Sequence, residues 1–379
     1  MNIQQWPQFV IAMLLLGLGS CVDPYEPAVI RRDHQFLVVD GFINSSGPSV
    51  FQLSRTRNLN DQTAPPPEAD AVVFVEEEQG RRLQLTNKGS GTYAANHLPI
   101  DAGKQYRLFI QTADGKEYAS AFVPVKVSPP IDSVSWKVES DGVQINVSTH
   151  DPQQQTRYYR WDYSETFEYT SALYSALEYV NGRVWTRSDN INRCWRTLPS
   201  TDINIGTSVR LSQDRIREAP LGFTRLPSVK FNYHYSILVR QYAQTQQAYQ
   251  YWETLKKNTE NIGSLFDPLP TQLTGNITCL TDTREPVLGF VSAGAVAEKR
   301  IFIRPQQLAD HWTFVNEYGS CLPDTIPVND VSRYFAGNTQ IPLTEVLNPM
   351  GGLVGYTYSG ISCVDCRLRG TNIKPDYWP

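Results

Sequence analysis

Six cysteines and a few carboxylates are the residues in this chain whose types and spacing could do chemistry. Five of the cysteines, Cys194, Cys279, Cys321, Cys363 and Cys366, lie in the second half, and Cys363-Val-Asp-Cys366 is a C-x-x-C. A C-x-x-C serves as a redox pair, as half of a zinc site or as part of a disulfide framework. No βαβ pattern surrounds it, and no second C-x-x-C or close histidine pair completes four ligands, so disulfides are the reading and no metal is expected. Cys194 is expected to pair with Cys279, and Cys321 with Cys363 or Cys366, because the longer closure from Cys321 removes more unfolded-state entropy than the two-residue loop. The carboxylates Asp162, Glu165 and Glu168 stand three apart, a spacing that on a surface strand leaves them solvated. The histidines, His34, His97, His150, His234 and His311, fall in separate segments, and G-x-S-x-G, H-E-x-x-H and P-loop motifs are missing. No catalytic residues are assigned and no enzyme is expected.

The sixth cysteine has a different setting. Phe9 to Leu18 is an apolar run free of charge, half the ~20 residues that a membrane-spanning helix needs. It ends in Leu18-Gly19-Ser20-Cys21 and then turns polar, as VDPYEPAVIRRD. A short apolar run before small residues reads as the h-region of a signal peptide. Leu18-Gly19-Ser20-Cys21 resembles the lipobox of bacterial lipoproteins, in which the cysteine thiol receives a diacylglycerol and becomes the first mature residue. The resemblance implies a signal peptide over 1–20, a covalent lipid on Cys21 and an acidic, proline-bearing tether over 21–34. Its n-region, MNIQQWPQ, departs from the pattern in lacking Lys or Arg. Asp23 and Glu26 just after the cysteine point to display at the cell surface.

Composition bounds the partners. The chain has 379 residues and a formal charge of −4 from 34 basic and 38 acidic side chains, with no block of like charge. Neither a nucleic-acid footprint nor a polybasic membrane patch is present. With 25 Pro and 24 Gly punctuating short β-rich runs, a mainly β protein of two or three domains is expected.

Seven alternating segments, QFLVVDGFI, SVFQLSR, DAVVFVEEE, RRLQLTN, GTYAA, KQYRLFIQT and KEYASAFVPV, are separated by turns of Gly, Asn and Asp. They predict a β-sandwich over 35–128, and its phrasing is similar to transthyretin-like or carboxypeptidase-regulatory-like domains, which do not catalyse. Pro129-Pro130 marks a boundary. A second, immunoglobulin-like sandwich is predicted over 131–379. It opens with the hairpin IDSVSWKVES and GVQINVSTHD, joined at Asp141-Gly142, and continues with the strand TRYYRWDYSETFEY. SVKFNYHYSILVR alternates as a strand, with Val229, Phe231, Tyr233, Tyr235, Ile237 and Val239 facing one way. A helical insertion near 244–262 follows, with Ala248, Tyr251, Trp252, Leu255 and Ile262 at helical spacing and Gly263 as its cap. LTGNITCL, VLGFVSAG and KRIFIRP would be the last strands of this second sandwich, and the tail from 311 a loop-rich appendage pinned by disulfides.

Four phrases, THDPQQQTRYYRWDYSETFEY, YSILVRQYAQTQQAYQYWETLKKNTENIGSLFDPLPTQLTGNI, EPVLGFVSAGAVAEKRIFI and CVDCRLRGTNIKPDYW, resemble the family called domain of unknown function 4249. The resemblance implies an outer-membrane lipoprotein, commonly encoded beside a TonB-dependent receptor, and supplies no catalytic residues or cofactor. The dense aromatics after residue 157 then gain meaning. Trp161, Tyr163, Phe167, Tyr169 and Trp185, with Arg160, could form a stacking or partner-docking face. The expectation is a lipid-anchored accessory or ligand-capture subunit of a TonB-dependent nutrient uptake system. The alternative is a structural or adhesive envelope lipoprotein with no transport role.

Overall fold

The computed structural model describes residues 35–57, 61, 63–260, 273–308 and 312–379. The apolar run, Cys21 and the tether lie outside these residues, as do Ile262 and Gly263.

The first nine strands are β1 (Leu37–Asn44), β2 (Ser49–Arg55), β3 (Val72–Glu77), β4 (Arg82–Gln84), β5 (Thr86–Gly89), β6 (Thr92–Ala95), β7 (Gln105–Gln111), β8 (Glu117–Ser120) and β9 (Val123–Val127). Alternation does what it predicts: in β2, Ser49, Phe51 and Leu53 turn inward while Val50 and Gln52 face out. Two of the seven expected segments are each divided between two strands. RRLQLTN breaks because Leu85, buried, bonds through its N–H to Val73 O, and KEYASAFVPV breaks between β8 and β9.

The second unit carries β10 (Ile131–Val138), β11 (Gly142–His150), β12 (Tyr158–Thr170), the hairpin β13 (Leu177–Val180) and β14 (Arg183–Thr186), then β15 (Arg193–Pro199), β16 (Asn204–Thr207), β17 (Arg215–Arg225) and β18 (Tyr235–Ala243). One sheet runs β10-β11-β17. The facing sheet runs β15-β12-β18, with β16 also on β12. Val143, Ile145 and Val147 of β11 share one core with Tyr159, Trp161 and Tyr163 of β12 and Tyr235, Ile237 and Val239 of β18. Small residues make room for the rings: a Cβ on Gly222 would sit 2.5 Å from the Tyr163 hydroxyl. The expected strand from Ser228 begins later than its alternation implies. Val229–Phe231 is a turn of 3-10 helix capped by Ser228, and extended structure starts at Tyr235.

A helix, Gln246–Glu260, follows β18, with Thr245 Oγ1 accepting from Ala248 N at 3.1 Å. Ala248 and Tyr251 are its buried residues. It lies at the joint between the two units, where Tyr251 packs on Phe290 at 5.3 Å and Tyr242 meets Phe42 edge-on at 5.0 Å.

Beyond the helix the chain corrects two expectations. β19 (Ile277–Cys279) pairs with β8, and β20 (Ser292–Ala295) runs parallel between β1 and β9, so LTGNITCL and VLGFVSAG belong to the first unit. The N-terminal core is therefore closed by Ile277, Cys279, Val291 and Ala293 from far along the sequence. Small side chains permit it: a Cβ on Gly294 would lie 2.1 Å from Lys126 O. β21 (Ala297–Ile303) returns to pair with β18.

The tail is not merely loops. β22 (Asp324–Pro327), β23 (Gln340–Leu347) and β24 (Leu353–Gly360) form a three-stranded sheet in the order β22-β24-β23. Ile326, Phe335 and Tyr356 pack there with Leu177 of the β13–β14 hairpin.

The cysteines follow this topology. Cys194 bonds to Cys366 (Cα–Cα 5.8 Å) and Cys321 to Cys363 (5.7 Å). The expected Cys194–Cys279 bridge does not form, because Cys279 sits with β19 in the first core as a buried free thiol. Peptide mapping without reduction should recover Cys194–Cys366 and Cys321–Cys363, with Cys279 alkylated only after unfolding. Replacing Cys194 and Cys366 together by Ser, which opens a closure of 172 residues, should cost about 2–5 kcal/mol in chemical denaturation. A Cys194–Cys279 peptide would overturn this topology.

Candidate ligand site

The predicted aromatic face divides. Trp161, Tyr163, Phe167 and Tyr169 are core residues of the second sandwich, between 1% and 7% exposed, and no ligand reaches them. β12 turns them inward, and at its far end the C-terminal residues cover the other side too. Trp185 alone stands open, on the β13–β14 hairpin. Arg160 projects from the opposite side of β12, between the rings of Tyr242 (4.3 Å) and Trp252 (4.6 Å), 3.9 Å from Asp162. It holds the helix on the sheet through cation–π contacts, with Asp162 as its anionic neighbour.

The three carboxylates each have a partner. Asp162 pairs with Arg240 at 2.6 Å. Glu165 takes Lys230 at 2.6 Å and the Tyr235 hydroxyl at 2.7 Å. Glu168, 1% exposed, pairs with Arg193 and accepts from Trp378 Nε1 at 3.3 Å. The histidines stay apart: His97 is exposed and His150 Nδ1 meets Asp132 at 2.7 Å. His34 and His311 lie outside the described residues. Among the described residues no group of three or more His, Cys, Asp or Glu is placed to hold a metal ion.

The structure does bring together a site that the sequence reading did not assemble. A cavity of about 330 Å³, with mostly apolar walls, is lined by Asn232, Tyr233, His234, Pro305, Gln306 and Trp312. Its walls are fixed from behind. Trp312 Nε1 donates to Phe231 O at 2.7 Å, and Asn232 exchanges two hydrogen bonds with the Val315 backbone, at 2.8 and 2.9 Å. Tyr233 packs edge-on against Phe314 at 6.3 Å, and His234 against Trp378 at 6.5 Å. His234 Nδ1 stands 3.8 Å from Glu168 Oε2, leaving the imidazole as a polar group at the cavity wall. Flat apolar walls with a few polar groups suit recognition of a small ring-bearing ligand. Tyr233 and His234 stand in a segment whose alternation puts Tyr233 on the same strand face as Tyr235 and Ile237, which gave no sign of a cavity. Trp312, almost eighty residues on, gave no local signal.

A second, polar cleft of about 730 Å³ lies at the start of the first unit. Most of its charges are met in pairs, Arg55 with Glu68 at 2.7 Å and Lys116 with Glu285 at 2.6 Å.

The model of a domain of unknown function, DUF4249, matches residues 22–300. The chain belongs to the DUF4249 family. The match spans both sandwiches as far as β21, so Pro305, Gln306, Trp312 and the third sheet lie beyond the matched stretch. No curated protein matches this DUF4249 chain. Among solved structures it is similar to a segment of two fibronectin type III domains from chicken tenascin, 11% identical, over 55% of this chain and 91% of that one, with a TM-score of 0.16.

The burial of the aromatic residues sets a pH dependence. Burial pushes the Tyr169 and Tyr251 phenols up to about 12, and raises Tyr159, Tyr163 and Tyr242 as well. Above pH ~10 unfolded tyrosines release protons that the folded ones keep, so stability is complete below that value and falls as pH rises. In an alkaline titration, phenolate absorbance should appear together with loss of circular dichroism. Titration of all twenty tyrosines near pH ~10 in a still-folded protein would refute the core assignment.

Proposed function

We propose that this DUF4249 protein is a lipid-anchored lipoprotein of the outer membrane, displayed at the cell surface, that acts without catalysis as an accessory or ligand-capture subunit of a TonB-dependent uptake system. The observation that carries the reading is Leu18-Gly19-Ser20-Cys21, which puts a thiol two small residues after an apolar run and before an acidic, proline-bearing stretch. Acyl chains on Cys21 would contribute about 0.8 kcal/mol per buried methylene, so several together anchor stably. Two disulfides suit an oxidising compartment outside the cytoplasm. The Tyr233–His234–Trp312 cavity supports ligand capture, and the pairing of Asp162, Glu165 and Glu168 with basic or hydroxyl partners favours binding over acid–base chemistry.

Cys21→Ser should abolish incorporation of labelled palmitate and release the protein from the outer-membrane fraction; labelling that persists in the variant removes the lipoprotein reading. Solubilised in mild detergent, the wild-type protein should co-purify with a TonB-dependent receptor. Behaviour as a free species would favour the structural or adhesive role.

Trp312→Ala removes one wall of the cavity while leaving the anchor in place. It should keep receptor co-purification and palmitate labelling, yet lower uptake of whichever nutrient is impaired by deletion of the whole protein. Uptake equal to wild type would take the cavity out of the reading.

A further inference from the structure

The hairpin joining β23 to β24 ends in Val346-Leu347-Asn348-Pro349-Met350-Gly351-Gly352-Leu353-Val354. No Asp, Glu, Lys, Arg or His occurs between Glu345 and Asp365. Met350 at the apex is 97% exposed, and Leu347, Leu353 and Val354 are 53%, 41% and 44% exposed. Leu347 and Leu353 are cross-strand partners on one face, and Val346, next to Leu347 in β23, turns to the other, with Val354 the extra residue of a bulge in β24. The tip is therefore apolar on both faces and at its end.

Its backbone is closed on itself. Asn348 Oδ1 accepts from Met350 N at 3.0 Å and from Gly352 N at 2.8 Å. Asn348 N donates to Gly352 O at 2.8 Å, and Gly351 N to Asn348 O at 2.9 Å. Pro349 has no N–H to satisfy, and Gly351 takes the left-handed conformation that the turn needs (φ +83°). Every backbone N–H from Asn348 to Gly352 is thus bonded within the loop, so no backbone donor of the turn is left unpaired when it leaves water.

We propose that this hairpin tip is a lipid-inserting prong that enters a phospholipid surface. A protein socket is met by a one-sided patch, whereas apolar side chains on both faces and at the apex match an isotropic hydrocarbon medium. From the Leu347–Leu353 pair to Met350 is three residues, a reach of at most ~10 Å because they lie in a closed turn, which falls within the ~5–10 Å to which interfacial elements sink. With no basic residue in the tip, insertion draws nothing from anionic headgroups, so it is insensitive to salt. The prong acts independently of any acyl anchor.

The test uses the mature chain, residues 21–379 with Cys21→Ser so that no acyl group contributes, floated with vesicles of phosphatidylcholine and phosphatidylethanolamine. The wild-type tip should float with the vesicles equally in low and high salt, and Met350→Asp should reduce the bound fraction about tenfold or more with its circular dichroism unchanged. Flotation equal in both proteins, or absent in both, overturns the prong. So does flotation that appears only with added phosphatidylglycerol and vanishes in salt. A Met350-dependent dimer in sedimentation without vesicle binding would instead make the tip a contact between copies. Failure of the Cys21 anchor would be read separately, from acyl labelling of the unmutated chain.

Discussion

The side-chain amide of Gln241 is the contact on which the two units and the sandwich core jointly depend. It is fully buried on β18, and both ends are satisfied: Oε1 accepts from Trp161 Nε1 at 2.8 Å, while Nε2 donates to Pro129 O at 2.7 Å and Thr149 Oγ1 at 3.0 Å. One residue thus ties β12, β11 and the double-proline crossing together. An amide this deep is costly unless every partner is in place, so it admits only one relative placement of these elements. Next to it, Ser128 Oγ accepts from Ala243 N at 2.8 Å, and the Phe42–Tyr242 and Tyr251–Phe290 contacts pack the two units against each other. The joint is buried and specific, unlike a flexible linker between beads.

That joint explains why the chain can leave the first unit and return to it. β20 must pass between β1 and β9 as a parallel strand, and parallel partners are reached only by long crossovers. Here the whole second sandwich up to the helix serves as the crossover. Strand positions were legible in the sequence because alternation is local: β1, β2, β7, β11 and β12 stand where their patterns put them. Sheet membership was not, because a run such as VLGFVSAG carries no record of its neighbours. The glycines hint at close approach without saying to what. The same non-locality misled the cysteines, since Cys279 reads as a second-unit residue until β19 is seen against β8.

The aromatic density of β12 was legible and its meaning was not. Alternation sorted Tyr159, Trp161 and Tyr163 from Arg160 and Asp162, but a ring-rich face serves a core and a binding platform equally well by pattern. Space decides between them. Gly222 and Gly206 leave room against the inner rings, and Val143, Ile145 and Val147 complete their burial, so that face is spent on packing. The open cavity falls instead where alternation fails, at the turn between Val229–Phe231 and β18. There the chain breaks period, and Tyr233 and His234 escape the core to meet residues from beyond β21.

The last segment accounts for the burial of Glu168. A carboxylate 1% exposed needs more than one partner, and the chain supplies Arg193 from β15 and Trp378 Nε1 from its C-terminal end. Trp378 is delivered there in stages. Cys366 is bonded to Cys194 at the edge strand β15, the backbone then exchanges hydrogen bonds between Thr371 and Trp195, and Tyr377 lies under the Arg300 guanidinium while its hydroxyl meets Thr166 Oγ1 at 3.0 Å. Each contact shortens the length of chain that the others must hold, so the entropy of ordering the segment is spread over several small closures. The strap also covers the exposed edge of β15 and the outer side of β12, the places where a sandwich sheet would otherwise offer unpaired backbone. The Cys194–Cys366 bond thus fixes the start of this strap, and Glu168 gains its second partner only because the closure reaches as far as Trp378.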